Sequence, residues 1–382
     1  MREYQAAVIG TGFIGAVHIE AVRRLGNVKI VALCDTQGAE KKAEQFCIGK
    51  AYSDYRKMME ELELDAVHIC TPNHTHYEIA KYAIQKGIHV ICEKPFSTTV
   101  EEAEELVALA KEKGVIGAVN FHNRLYPIPN EMHQIIKCGE AGGIFSVHGG
   151  YIQDWLCYDT DYNWRLETAQ VGKTRAIADI GSHWMDLLEF VTGERIKRVC
   201  AKFRTVYPCR KKCRVEVETF QTVKGQELAA GAVGYENIPI NTEDEAVILF
   251  ELEHGAIGSG IVSMVYAGKK NTTMLNIACS KKALEWTSES LNDLWIGHRD
   301  RPNESLTKDA ALLHGESAKL ASYPSGHIEG FSDAFKQVFR QFYDSLDGAA
   351  AGDFARFQDG LREMRLCDAL YESAVSASWI EV

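Results

Sequence analysis

The chain has 382 residues, a formal net charge of −11, 46% hydrophobic residues and 25% charged residues. That length favours about two cores, and the composition is that of an ordinary globular protein. The acidic balance excludes general affinity for nucleic-acid backbones or anionic lipid, and no apolar run approaches the roughly 18 residues of a membrane span.

The N-terminus enters a strand without a charged leader and apolar signal core, so a cytoplasmic location is expected. The eleven cysteines are scattered through apolar stretches, as at Cys34, Cys70, Cys92 and Cys279, which reads as reduced core residues and no disulfide framework. Cys209 and Cys213 lack a second Cys/His pair at ligand spacing, so no metal site is expected. The basic run Arg210, Lys211 and Lys212 reads as a solvated turn.

In chain order, the pattern predicts a strand at Gln5 to Ile9, a helix at Ile14 to Leu25, a strand at Lys29 to Cys34, a helix at Lys41 to Phe46 and a strand at Ala66 to Cys70. A helix at Tyr77 to Lys86, a strand at His89 to Cys92, a helix at Val100 to Lys113 and a strand at Ile116 to Phe121 follow. This alternation implies an α/β domain with a parallel sheet and right-handed crossovers.

Near Leu125 the rhythm changes, since Tyr126, Pro127 and Pro129 interrupt it. Longer, half-exposed strands are expected at Ile196 to Tyr207, Ala246 to Leu252, Ile257 to Tyr266, Met274 to Ala278 and Leu284 to Thr287, forming an antiparallel meander. Helices at Ser182 to Val191, Ile328 to Leu346 and Phe354 to Ser376 are expected to cover its inner face. The division is therefore 1–125, a dinucleotide-binding domain, and 126–382, an α+β domain with a large, mostly antiparallel open sheet.

Gly10-Thr11-Gly12-Phe13-Ile14-Gly15 lies between the first strand and the first helix. There Gly10 permits the tight turn, Gly12 admits a pyrophosphate to the backbone, and Gly15 lets helix and strand pack closely. Asp35 ends the second strand about 20 residues on, where a carboxylate accepts hydrogen bonds from a ribose and repels a 2′-phosphate. NAD rather than NADP is therefore expected; the plainer role of Asp35 is to cap the next turn. Thr71-Pro72-Asn73-His74-Thr75-His76 ends a further strand at the edge where ligands bind open α/β sheets, and its His-x-His has no third metal ligand.

Glu93-Lys94-Pro95 ends another strand on the same edge, and proline keeps Lys94 extended, aimed out of the sheet. Asp179-Ile180-Gly181-Ser182-His183-Trp184-Met185-Asp186 opens a helix in the second part. Asp179 and His183, four apart, share a face, where a carboxylate would favour the charged imidazole and fix its tautomer. Asp186 reads as a helix-surface charge.

GTGFIG, the Asp35 strand end, TPNHTH, EKP and DIGSHWMD, in this order and spacing, resemble the Gfo/Idh/MocA family, named for glucose-fructose oxidoreductase and inositol dehydrogenase. The resemblance runs over essentially the whole chain. It implies a Rossmann domain followed by an α/β domain with a large open sheet, and hydride exchange between NAD and a sugar or polyol carbinol. The family's catalytic group is carried onto Lys94, Asp179 and His183. Cofactor contact is carried onto Gly10, Gly12, Phe13, Ile14, Gly15, Asp35, Thr71, Pro72, Asn73, His76, Glu93 and Lys94.

Within the family, the middle of the chain is most similar to the branch of levoglucosan and glycoside dehydrogenases, through Tyr151 to Trp155, Asn163-Trp164-Arg165 and Gly326 to Gly330. This implies substrate contact by Arg124, Gln153, Asp154, Trp164, Arg165, His183 and His327. Aromatic faces pack on sugar C–H surfaces, while planar polar groups fix hydroxyls; each of these residues also has a plain structural reading as a buried tryptophan or an ion pair. The resemblance further implies a homo-oligomer, dimer or tetramer, built through the second sheet. Three alternatives stand beside a sugar dehydrogenase: an inositol or polyol dehydrogenase, an NAD-recycling glycoside-cleaving enzyme, and a non-catalytic NAD-binding sensor.

Overall fold

A computed structural model describes residues 2–214, 234–349 and 352–382. Strands β1 (Tyr4–Ile9), β2 (Val28–Cys34), β3 (Ala51–Tyr52), β4 (Ala66–Ile69), β5 (His89–Cys92) and β6 (Gly117–Val119) alternate with helices α1 (Phe13–Arg23), α2 (Ala39–Gln45), α3 (Tyr55–Glu61), α4 (His76–Gln85) and α5 (Val100–Lys113). The strands pair in parallel in the order β3-β2-β1-β4-β5-β6. Because the order reverses between β1 and β4, a crevice opens there at the carboxyl ends of the strands, where such sheets take ligands. Val8, Val67, Val90 and Ile91 are fully buried, as strands covered by helices on both faces require.

The second part begins with α6 (Pro127–Lys137), so Pro127 and Pro129 do not end regular structure but start a helix. First-turn N–H groups have no intrahelical acceptor, and proline there sacrifices nothing. There follow β7 (Ile144–Ile152), α7 (Thr168–Val171), α8 (Ser182–Thr192), β8 (Ile196–Arg204), β9 (Cys209–Cys213), β10 (Tyr235–Pro239), β11 (Glu245–Leu252) and β12 (Ile257–Ser263). The chain continues through β13 (Thr272–Cys279), β14 (Ala283–Thr287), β15 (Asp293–Gly297), β16 (Glu304–Thr307), α9 (Gly315–Ala318), α10 (Phe331–Leu346), α11 (Phe357–Ser376) and β17 (Ile380–Glu381).

Nine of these strands form one sheet in the order β16-β15-β14-β13-β7-β12-β11-β8-β17. It is antiparallel except where β7 lies parallel to β12. The expected meander is thus interrupted: β7 inserts between β12 and β13. Its glycines make it a poor strand by propensity, yet Gly149, with Gly260 of the adjacent β12, seats the fully buried Trp184 of α8, whose ring lies where side chains at those two positions would stand and whose Nε1 donates to the Met274 carbonyl at 2.9 Å. That close approach fixes α8, and with it the neighbouring His183, over the centre of the sheet.

Two expectations are corrected here. The helix Phe331–Leu346 does not cover the nine-stranded sheet; Phe335, Val338, Phe339, Phe342 and Tyr343 pack with α1 and the six-stranded sheet. Arg210 is not in a solvated turn: it lies in β9, fully buried, and pairs with Asp244 at 2.8 Å.

Candidate active site

The glycine turn has the shape its sequence requires. Gly10 has φ +91°, and a side chain on it would meet the Cys70 carbonyl carbon at 2.6 Å, while one on Gly15 would collide with the Gly10 oxygen. Above Gly12, in contrast, nothing stands within 4 Å. Gly12 caps α1, whose first turn holds no acidic residue and whose cap makes no side-chain hydrogen bond, leaving N–H groups for an anion. Phe13 is 56% exposed beside this opening, and Ile14 is half-buried.

The Asp35 carboxylate stands over the same turn. Its Oδ2 accepts from Thr11 N and Oγ1 at 2.7 and 2.8 Å, and its Oδ1 accepts from Gln37 N at 3.2 Å. It therefore caps its own turn and also fastens the glycine loop. This half-buried carboxylate, the open space over Gly12 and the uncapped helix start fit a dinucleotide with an unphosphorylated ribose.

Thr71 and Pro72 are half-buried at the end of β4, and Asn73 opens a single 3₁₀ turn. His76 is fully buried, with Nδ1 2.8 Å from the Pro95 carbonyl and Nε2 2.8 Å from the Thr71 carbonyl. Both ring nitrogens are occupied. His76 thus ties the TPN loop to the turn that carries Lys94.

Lys94 Nζ donates to the Asp179 carbonyl at 2.8 Å and to its Oδ1 at 2.7 Å, and Arg165 Nε lies 3.4 Å from Asp179 Oδ2. Burial alone would raise the Asp179 pKa, but the two cations outweigh it and hold the carboxyl below its usual range. Arg165 in turn covers the Trp164 ring at 4.5 Å, so the Asn163-Trp164-Arg165 segment is joined directly to Asp179.

His183 is 5% exposed, edge-on to His122 at 5.1 Å and to Phe121 at 5.6 Å, with Tyr151 at 6.2 Å. Its Nδ1 is buried without a partner among the described residues. The expected Asp179–His183 pairing is absent, because the carboxylate is taken by Lys94 and Arg165. Burial first, then Lys94 and His122, push the imidazole pKa well below its usual value, so His183 is neutral at physiological pH rather than drawn toward the charged form.

Gln153 directly follows β7; it is fully buried, and both of its amide atoms lack a partner among the described residues. The remaining expected substrate contacts are not brought to this cluster. Asp154 accepts from Lys270 Nζ at 2.6 Å and Gly268 N at 3.2 Å. His327 is exposed, and its carbonyl accepts from Lys308. Arg124 is buried and chelates Asp186 at 2.8 and 2.5 Å with Asp359 at 3.3 Å; Asp186, 1% exposed, is no surface charge.

Several residues on which the site rests carried no motif. Glu243 Oε1 accepts from Arg175 N and Ile177 N at 2.8 and 2.9 Å, holding the start of the π-helical turn Ile177–Gly181 that contains Asp179. Asp244, fully buried, bridges Arg175 and Arg210 at 2.5 and 2.8 Å. His18 and His68, both fully buried, lie behind Glu93. A histidine inside the otherwise apolar strand Ala66–Ile69 was the available signal, since a buried ring nitrogen requires a partner.

Comparison with known proteins agrees with this geometry. Residues 4–121 match the model of the oxidoreductase family with an NAD-binding Rossmann fold, and residues 130–285 match the GFO/IDH/MocA C-terminal domain. Levoglucosan dehydrogenase of Pseudarthrobacter phenanthrenivorans is 27% identical over 403 aligned positions, covering 100% of this chain and 99% of that protein. D-glucoside 3-dehydrogenase of Escherichia coli is 26% identical over 66% of this chain and 68% of its own length. The inositol dehydrogenase homolog of Azotobacter vinelandii, solved with NADH and myo-inositol, superposes with a TM-score of 0.85 at 25% identity, covering 100% of this chain and 98% of that one. With both domain models matched in order, and the glycine turn and the Lys94 strand end in place, the chain belongs to the Gfo/Idh/MocA family of NAD-binding oxidoreductases.

Proposed function

We propose that this enzyme oxidises a hydroxyl-bearing carbon of a sugar, anhydrosugar or glycoside and passes the hydride to NAD. The observation that carries the reading is the meeting of Lys94, Asp179 and Arg165 beside a neutral His183, at the strand edge where the family binds its cofactor. The named relatives act on levoglucosan and D-glucosides, which supports the carbohydrate class.

NAD, when bound, supplies the hydride acceptor. The chain's own residues handle the proton and the oxygen. An ammonium has three donors; two of Lys94's go to Asp179, which leaves one for the substrate oxygen. His183, neutral, accepts the hydroxyl proton as the carbonyl forms. Asp179 holds Lys94 in place, and Arg165 with Trp164 and the unpartnered amide of Gln153 orient the substrate. Residues 1–125 form the cofactor unit in this reading, and 126–382 the substrate and assembly unit.

Location and assembly follow the same reading. Among the described residues no helix is long and apolar enough to cross a membrane, in keeping with a cytoplasmic enzyme. The face of the nine-stranded sheet turned away from α8 exposes Val247, Leu249, Ile257 and Trp295, at 55, 48, 62 and 38%. An apolar sheet face of that kind suits a second copy of the chain, giving a homo-oligomer.

The test is a screen of sugars, anhydrosugars, inositols and glycosides for NADH formation, with NMR of the product to locate the new carbonyl. Net NADH with an oxidised sugar supports the dehydrogenase. Glycoside cleavage without net NADH overturns it in favour of a cofactor-recycling enzyme, and NADH binding without turnover of any of them in favour of a sensor.

A further inference from the structure

Glu93 stands one residue before Lys94, and its carboxylate ends a buried chain of hydrogen bonds. Oε1 accepts from Asn120 Nδ2 at 2.5 Å and lies 2.9 Å from His18 Nε2. His18 Nδ1 lies 2.9 Å from His68 Nδ1, and His68 Nε2 lies 2.9 Å from the Tyr343 hydroxyl. Glu93 directly follows β5, and His18, His68 and Tyr343 lie on α1, β4 and α10; His18 and His68 are fully buried, and Tyr343 is 1% exposed. Glu93 itself keeps a small exposed fraction, 10% of its side chain.

Donor counting gives this chain a direction. Two imidazoles that meet through the same nitrogen must be opposite tautomers. If Glu93 is ionised, His18 donates from Nε2 and accepts at Nδ1. His68 then donates from Nδ1 and accepts at Nε2, and the Tyr343 hydroxyl supplies that last hydrogen. Every contact is satisfied with both rings neutral, and every hydrogen points toward Glu93. Reversal needs a proton on Glu93 and leaves the buried Tyr343 hydroxyl hydrogen without an acceptor among the described residues, which is costly.

We propose that Tyr343, His68 and His18 form a hydrogen-bond relay of fixed direction that keeps Glu93 a carboxylate at the cofactor site, and that this charge favours oxidised over reduced NAD. The nicotinamide ring is cationic when oxidised and neutral when reduced, so a fixed anion at the strand end separates the two by charge. The other titratable or charged groups facing Glu93 are Lys94, His76, His122, Cys70 and Cys92. Of these Lys94 is the fixed cation, and its ammonium is committed to Asp179. The three relay residues are positioning residues, acting through Glu93.

The inference rests on NAD binding, and the experiment separates the two. Dissociation constants for NAD⁺ (calorimetry) and NADH (fluorescence) are measured at pH 7.5 for the wild type, Glu93→Gln and Tyr343→Phe. The last keeps the ring packed and removes only the hydroxyl. The ratio Kd(NAD⁺)/Kd(NADH) is expected to rise roughly three- to tenfold in Glu93→Gln, the size of a partly screened unit charge, and less but in the same direction in Tyr343→Phe. ¹⁵N NMR of the wild type is expected to show His18 protonated at Nε2 and His68 at Nδ1. An unchanged ratio in both variants at wild-type melting temperature, or the opposite tautomers, overturns the relay. Absence of nucleotide binding by the wild type overturns the cofactor assignment as well.

Discussion

Lys94 is bonded twice to Asp179, through the carbonyl oxygen at 2.8 Å and through the carboxylate at 2.7 Å. Only the second bond depends on charge. Asp179→Asn is therefore expected to leave the ammonium in place and keep part of the activity, whereas Lys94→Met removes the donor to the substrate oxygen and lowers kcat by about 10²–10⁴-fold. Steady-state kinetics beside NADH fluorescence titration checks this: equal losses in the two variants would show that the carboxylate, not the carbonyl, places the lysine.

The pH profile follows from His183. Its pKa is pushed well below the usual 6.5 by burial, Lys94 and His122, so it is neutral, and able to accept a proton, throughout the range above that value. Turnover limited by its protonation rises with pH on the acid side of 6.5 and is flat above. His183→Ala is expected to remove that limb and lower kcat roughly 10²–10⁴-fold with NADH affinity retained. A wild-type rate that climbs only above pH 8 would assign the proton to another acceptor, Lys94 first.

Asp35 fastens the glycine loop through Thr11 as well as standing at the ribose position. Asp35→Ser with Thr36→Arg should relax the preference for NAD over NADP and also weaken binding of both, because the loop loses its anchor. Kd values for the two reduced cofactors test this; equal use of both by the wild type would contradict it.

Trp164 and Arg165 are expected to separate in kinetics. Trp164→Ala should raise KM for the sugar with NADH affinity unchanged. Arg165→Ala should also lower kcat, since its guanidinium is the second cation on Asp179. Loss of NADH binding in Trp164→Ala, with sugar binding kept, would place that segment at the cofactor instead.

Arg124 pairs with Asp186 and Asp359 beside Glu189 and Glu363, while Arg362 and Arg195 take Glu189 and Arg195 also reaches Asp359. In that acidic setting burial pushes the Asp186 pKa up to about 7. Arg124→Ala strands the buried Asp186, since Glu189 keeps Arg362 and Arg195 and Asp359 keeps Arg195, and is expected to destabilise the fold by about 3–5 kcal/mol, as removal of one partner from a buried ion pair does. Urea denaturation measures the loss, and KM for the sugar in the folded fraction should stay unchanged.

The first sheet was legible because its strands are short apolar runs punctuated by glycine, and β5 and α5 fall where the pattern places them. Asp179, Lys94 and Arg165 were legible as separate motifs, but not their mutual contact, which depends on how two domains meet. β7 was not legible, since two adjacent glycines, Gly149 and Gly150, weaken the strand pattern, and the ring of Trp184 that Gly149 accommodates comes from a distant helix. Asp186 was misread for a related reason: a charge on an amphipathic helix looks solvated unless its buried counter-charge, Arg124, 62 residues away, is known. Helix Phe331–Leu346 carries a clear apolar stripe, but a stripe does not say which of two sheets it faces.

That helix changes what the word domain means for this chain. The core of the cofactor unit is completed by Phe335, Phe339 and Phe342, supplied by a segment more than two hundred residues beyond its last strand. The polypeptide leaves the first unit after β6, returns for this helix and departs again through α11, so several covalent strands, not one hinge, tie the halves together. A fragment ending at residue 125 would expose the apolar bed of α1 that these rings cover and would aggregate rather than bind NAD. Relative rotation of the two units is restrained for the same reason, and the alignment of Lys94 with Asp179 across the cleft is built into the connectivity before any ligand arrives.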